Sequence, residues 1–96
     1  MKVSQVNNGN EDTYLRDRPL ICETIRGCKV CIRPMLVSDL IYVQKSLNKL
    51  TEIEQNCLLI ERLSAETEYP ILAVDIHKMP PKALEEFAEL LIAAQG

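Results

Sequence analysis

The chain has no tryptophan, one phenylalanine and three tyrosines among its 96 residues. Apolar residues still make up 47%, so a core can form, but it must be built from aliphatic side chains rather than rings. Three glycines, Gly9, Gly27 and Gly96, are too scattered for a loop that cradles phosphate. No apolar run approaches the roughly 20 residues that a bilayer-crossing helix needs. The start Met1-Lys2-Val3-Ser4-Gln5-Val6-Asn7 has no apolar segment of a secretory signal. The expected location is therefore the cytoplasm. Excess positive charge is missing too: 11 basic and 14 acidic residues give a net charge of −3, which weighs against general nucleic-acid binding.

Catalytic equipment is equally sparse. The single histidine, His77, has no Ser or Cys nucleophile beside it, and a surface or capping role is expected. Cys57 falls within an apolar helical stripe, where a thiol is core rather than nucleophile. No cofactor, metal or catalytic residue is assigned, and the chain is read as a non-enzyme. Cys28 and Cys31 form a CxxC, with Cys22 and Cys57 elsewhere. The spacing does not match the paired CxxC pattern of zinc sites. Residues three apart on a strand also point to opposite faces. In a cytoplasmic chain free thiols are the first expectation, metal the second and a disulfide the last.

What is present points to one small α+β domain. Residues 1–18, polar and turn-prone around Asn7-Asn8-Gly9-Asn10, read as a flexible N-terminal arm. Residues 19–96 form the domain, opening with a β-hairpin over 19–33 that turns at Arg26-Gly27. Two registers fit. A two-residue turn pairs Ile25 with Cys28. A three-residue loop with Gly27 in the left-handed position pairs Glu23 with Lys29 and Cys22 with Val30. The second sorts Leu20, Cys22, Cys28, Val30 and Ile32 onto one apolar face and is preferred. Pro34 ends the second strand.

Four helices are expected, at about 38–49, 52–64, 70–76 and 81–94, so the hairpin would pack on a small bundle of three to four. Ser38 is the expected N-cap of the first, whose stripe is Leu40, Val43, Leu47 and Leu50. Thr51-Glu52-Ile53-Glu54 is a capping box that starts the second, with Ile53, Cys57, Ile60 and Leu63 inward. Pro70 opens a short helix that buries Ile71, Leu72 and Val74. Leu84, Phe87, Ala88 and Leu91 face inward on the last, widened by Leu90 and Ala94, while Glu85, Glu86 and Glu89 face water.

More aliphatic side chains are present than so small a core can hold. A contiguous exposed patch of them would mark a partner site, such as a groove that receives an amphipathic helix. Ile41, Leu58, Leu59, Leu90 and Ile92 lie beside the main helical stripes and are the candidate protein-binding contacts.

The run Val30-Cys31-Ile32-Arg33-Pro34 followed by Ser38-Asp39-Leu40, then Thr51-Glu52-Ile53-Glu54 leading to Leu59-Ile60-Glu61-Arg62-Leu63-Ser64, and Val74-Asp75-Ile76 before a last helix, resembles the small tail assembly chaperones of contractile, long-tailed phages and prophages. The likeness covers residues 19–94 and rests on order and spacing. It implies a protein that binds the long helical tape-measure protein in the bacterial cytoplasm, keeps it soluble while the tail tube assembles, and is absent from the finished virion. A frameshifted longer form of itself and a homo-oligomer are further partners compatible with it; no membrane partner is expected. Two other readings stand beside it: a small regulator or inhibitor of a host protein, and a nucleic-acid-binding module using Arg16, Arg18, Arg26, Lys29 and Arg33.

Overall fold

The computed structural model describes residues 19–95; the expected arm over 1–18 lies outside them. An antiparallel hairpin, β1 (Ile21–Ile25) and β2 (Cys28–Ile32), leads into α1 (Val37–Ser46), α2 (Glu52–Ser64), α3 (Ala73–His77) and α4 (Lys82–Gln95). The architecture is α+β, with the hairpin resting on the helices.

The hairpin takes the tighter of its two registers. Ile25 pairs with Cys28, Thr24 with Lys29, Glu23 with Val30 and Cys22 with Cys31. Arg26 and Gly27 both adopt positive φ, 54° and 79°, the signature of the two-residue type I′ turn whose twist matches that of the strands. The expected bulged register is thus corrected, because Arg26 accepts a left-handed conformation that a long side chain rarely adopts. The one-residue shift swaps the faces of β1. Ile25 is buried and Ile21 half-buried, while Leu20 and Cys22 are exposed. Ile25, Val30 and Ile32 join the core with Ile60, Leu63 and Phe87.

The register also corrects the expectation for the cysteines. Counting from the turn, Cys22 and Cys31 oppose each other where the ladder exchanges no hydrogen bonds and the strands come closest. Their Cα atoms are 4.1 Å apart and their sulfurs form a disulfide. Cys28 and Cys57 are free, the first exposed and the second buried. The outer edge of β2 is covered by the segment after α2: the Cys31 amide donates to the Tyr69 carbonyl at 3.4 Å, and the Thr67 hydroxyl donates to the Cys31 carbonyl at 3.0 Å.

The link from β2 into α1 is held by α2 and α4. The Arg33 amide donates to the Leu63 carbonyl and the Met35 amide to the Ala94 carbonyl. α1 runs from Val37 to Ser46 rather than over about 38–49, and its N-cap is Leu36, two residues before the expected Ser38. The Asp39 carboxylate, three residues on, takes the Leu36 amide at 2.8 Å and does the capping from inside the helix. The capping box at α2 forms as the sequence indicates, with the Glu54 amide donating to the Thr51 hydroxyl and the Thr51 amide to Glu54 Oε1. Gln55 Nε2 reaches back to the Leu47 carbonyl at 2.8 Å and closes the corner between the two helices.

The short helix begins at Ala73 and not at Pro70. Ile71 donates its amide to the buried Ser64 hydroxyl, which holds the chain extended there, and Glu61 Oε1 accepts the Ala73 amide at the start of the turn. Ile71, Ala73 and Ile76 are buried, whereas Leu72 and Val74, expected inside, are exposed.

Candidate functional site

The most conspicuous polar arrangement is centred on Asp39, which is 0% exposed. Arg33 Nη1 and Nη2 meet its two oxygens at 2.9 and 2.8 Å, and Arg62 Nε meets Oδ1 at 2.8 Å. With the Leu36 amide, four donors fill the acceptor sites of one carboxylate. Burial alone would push the Asp39 carboxyl up. The hydrogen bonds from Arg33, Arg62 and Leu36, with the charge of Arg33, outweigh that desolvation and hold it well below the usual carboxylate range. The hydrogen bond to Asp39 raises Arg33 against the opposing effect of its own burial. The Arg62 guanidinium lies 4.2 Å from the Tyr42 ring centroid, a cation–π contact. A carboxylate so saturated has no lone pair left for proton transfer or a metal. Its work is mechanical: it ties β2, α1 and α2 together and sets where α1 stands.

That placement creates a groove. α1 leans on α2 by part of its apolar stripe only. Leu47 is buried, but Leu40 is 49% exposed and Val43 half-buried, which corrects the expectation that the whole stripe is core. Leu40, Val43, Met35, Leu59, Leu91 and Ile92 line a cavity of about 330 Å³ between α1, α2 and α4, with Glu52, Asn56, Ala88 and Gln95 completing its walls. Ile92 is 65% exposed. A concave aliphatic surface of this size, open to water, suits an apolar side-chain row of a partner.

Of the expected contacts, the groove brings together Leu59, buried at its floor, and Ile92 on its wall. Ile41 is exposed on α1 but does not line it. Leu58 is half-buried against the core. Leu90 is a core residue, because α4 turns Phe87, Leu90, Leu91 and Ala94 inward together. Helical spacing places Leu40, Val43 and Leu91 on inward stripes and gives no role to Met35; the surplus of aliphatic residues on α1 is the signal that could have found Leu40 and Val43.

A second cavity, of about 290 Å³, lies between the start of α2, α3 and the start of α4, lined by Ile53, Cys57, Ile76, Met79 and Leu84 with Glu54, His77 and Pro81. Ile53, expected in the core, is 56% exposed. Cys57 and His77 share this cavity, but burial, reinforced by the charge of Glu54, pushes the Cys57 thiol up. That is the reverse of an activated thiolate. Among the described residues no cluster of three His, Cys, Asp or Glu side chains is arranged to hold a metal, and no helix is long and apolar enough to cross a membrane.

The hairpin's described cations are engaged locally: Arg26 with Glu86 at 3.6 Å, Lys29 over the Tyr69 ring at 4.7 Å, and Arg33 with Asp39. Arg16 and Arg18 lie outside the described residues. No family model, curated protein or solved structure matches this chain.

Proposed function

We propose that this chain is a phage-type tail assembly chaperone, a non-enzymatic protein that binds the helical tape-measure protein and keeps it soluble until the tail tube encloses it. The observation that carries the reading is the open aliphatic groove between α1, α2 and α4, with Leu40 and Ile92 exposed on its walls. A long helical protein awaiting assembly exposes apolar stripes, and a groove of this kind covers one turn after another without chemical change to either partner. The unbranched thioether chain of Met35 beside the leucines gives the lining a side chain that can adapt to stripes of differing shape. The nucleic-acid reading has less support, since Arg26, Lys29 and Arg33 each already have a partner.

Co-expression with a long helical tape-measure protein from the same genome tests the reading. The expected result is that the long protein becomes soluble and co-purifies at a fixed ratio. A long protein that stays insoluble beside a folded, soluble chain overturns it and moves the host-regulator reading to first place.

A further inference from the structure

The two cavities follow one another along α4, with a narrow cleft between them that shares lining residues with each, and together they make a valley. Asn56 lines the larger cavity. It also lines a narrow cleft of about 30 Å³, together with Ile53, Ile76 and Leu84, which line the second cavity as well. Along α4, Leu84 lies at one end of this valley and Ala88, Ile92 and Gln95 at the other. Their spacing of four, four and three residues is one helical face, and 11 residues of helix span about 16 Å, three turns. The apolar part of that face, Leu84, Ala88 and Ile92, matches the row that one amphipathic helix presents, and Gln95 closes it with a polar end.

The charge along the valley is one-sided. Glu52 lines one half and Glu54 the other, and no Lys or Arg lines either cavity or the cleft between them. Both carboxylates are exposed in the first turn of α2. A second copy offering its own α4 would bring an exposed flank of Glu85, Glu86 and Glu89 against Glu52 and Glu54, and like charges would meet. Resting on the chaperone reading, the geometry points to a more specific occupant: an amphipathic helix of about three turns whose aliphatic row is flanked by Lys or Arg, seated along α4 from Leu84 to Gln95. Its row fills the two cavities, passes the polar Asn56 with a small residue, and its cations meet Glu52 and Glu54.

The test uses the full chain and two fluorescent helical peptides with the same leucine-alanine row, one flanked by Lys and Arg and the other by Glu. Anisotropy is read at low and at physiological salt. The basic peptide is expected to bind about tenfold more tightly than the acidic one, as a few rim ion pairs would give, and to weaken as salt rises. E52Q/E54Q removes most of that preference, and I92D, at an exposed position, removes binding by both peptides with an unchanged circular dichroism spectrum. Equal affinity for the two peptides, binding by neither, or a preference that survives E52Q/E54Q overturns the inference. If the tape-measure protein co-purifies but neither peptide binds, this inference fails and the chaperone reading stands. If the basic peptide binds as described while the tape-measure protein stays insoluble, the inference stands and the chaperone reading fails.

Discussion

Asp39 shows how a single residue fixes a surface it does not touch. Its carboxylate is wholly buried between two guanidinium groups that are themselves part-exposed. Removing it as Asp39→Ala leaves Arg33 and Arg62 without their shared counter-charge and the Leu36 amide uncapped. The expected loss is about 3 kcal/mol, read as a lower midpoint in urea denaturation. The pH dependence has a definite sign. The folded state holds the Asp39 carboxyl below its unfolded value, so its contribution is complete above the unfolded pKa of about 3.9 and is lost as pH falls through and below it. Wild-type stability should therefore drop on acidification below about pH 4, and the Asp39→Ala variant should drop less over the same window. The disulfide belongs to this scale as well. Cys22 and Cys31 are nine residues apart in sequence, and a loop that short confers about 2–3 kcal/mol in the chain-entropy picture. Reduction by a dithiol, or the C22A/C31A double variant, is expected to lower the thermal midpoint, and a midpoint insensitive to both would show that the bridge constrains little.

At the scale of elements, the turn is the most instructive. Arg26 occupies a left-handed conformation at φ 54° and loses little by replacement, since its contact with Glu86 is long and exposed. Arg26→Asn creates the Asn-Gly pair favoured in this turn and is expected to stabilise the fold by about 0.5–1 kcal/mol, measured by denaturant titration; destabilisation would contradict the observed register. The order of elements, the Thr51–Glu54 capping box and the greater part of the buried faces, Cys57, Ile60 and Leu63 on α2 and Phe87, Leu90, Leu91 and Ala94 on α4, were legible in the sequence because each follows from local spacing. The hairpin register was not, because sorting of apolar residues favoured an alternative that only the backbone at Arg26 decides. The start of α1 was hidden for a related reason: Leu36 is no capping residue by type, and its amide is served by Asp39 three residues later. Pro70 suggested a helix start, yet Ser64 holds Ile71 extended from seven residues away in sequence.

At the scale of the whole molecule, the groove exists because α1 stands on α2 without covering the distal half of α4. What fixes α1 there is the contact from Arg62 to Asp39, 23 residues apart, and no local pattern announces such a pairing. Residues quoted by spacing alone, Arg33, Asp39 and Arg62, thus turn out to be the frame of the surface, while two of the five expected contacts, Leu59 and Ile92, line it. The remaining three fall outside because helical spacing tells which residues share a face but not how far the neighbouring helix extends over it.

The central claim is that this groove holds a helix of the tape-measure partner. The most direct measurement is co-purification of that partner with the wild-type chain and with an L40D/I92D variant, both changes being at exposed positions. The partner should be recovered in soluble form with the wild type and lost with the variant, while the variant keeps the circular dichroism spectrum and cooperative unfolding of the wild type. Undiminished recovery with a folded L40D/I92D variant would contradict the claim and move the binding surface elsewhere on the molecule.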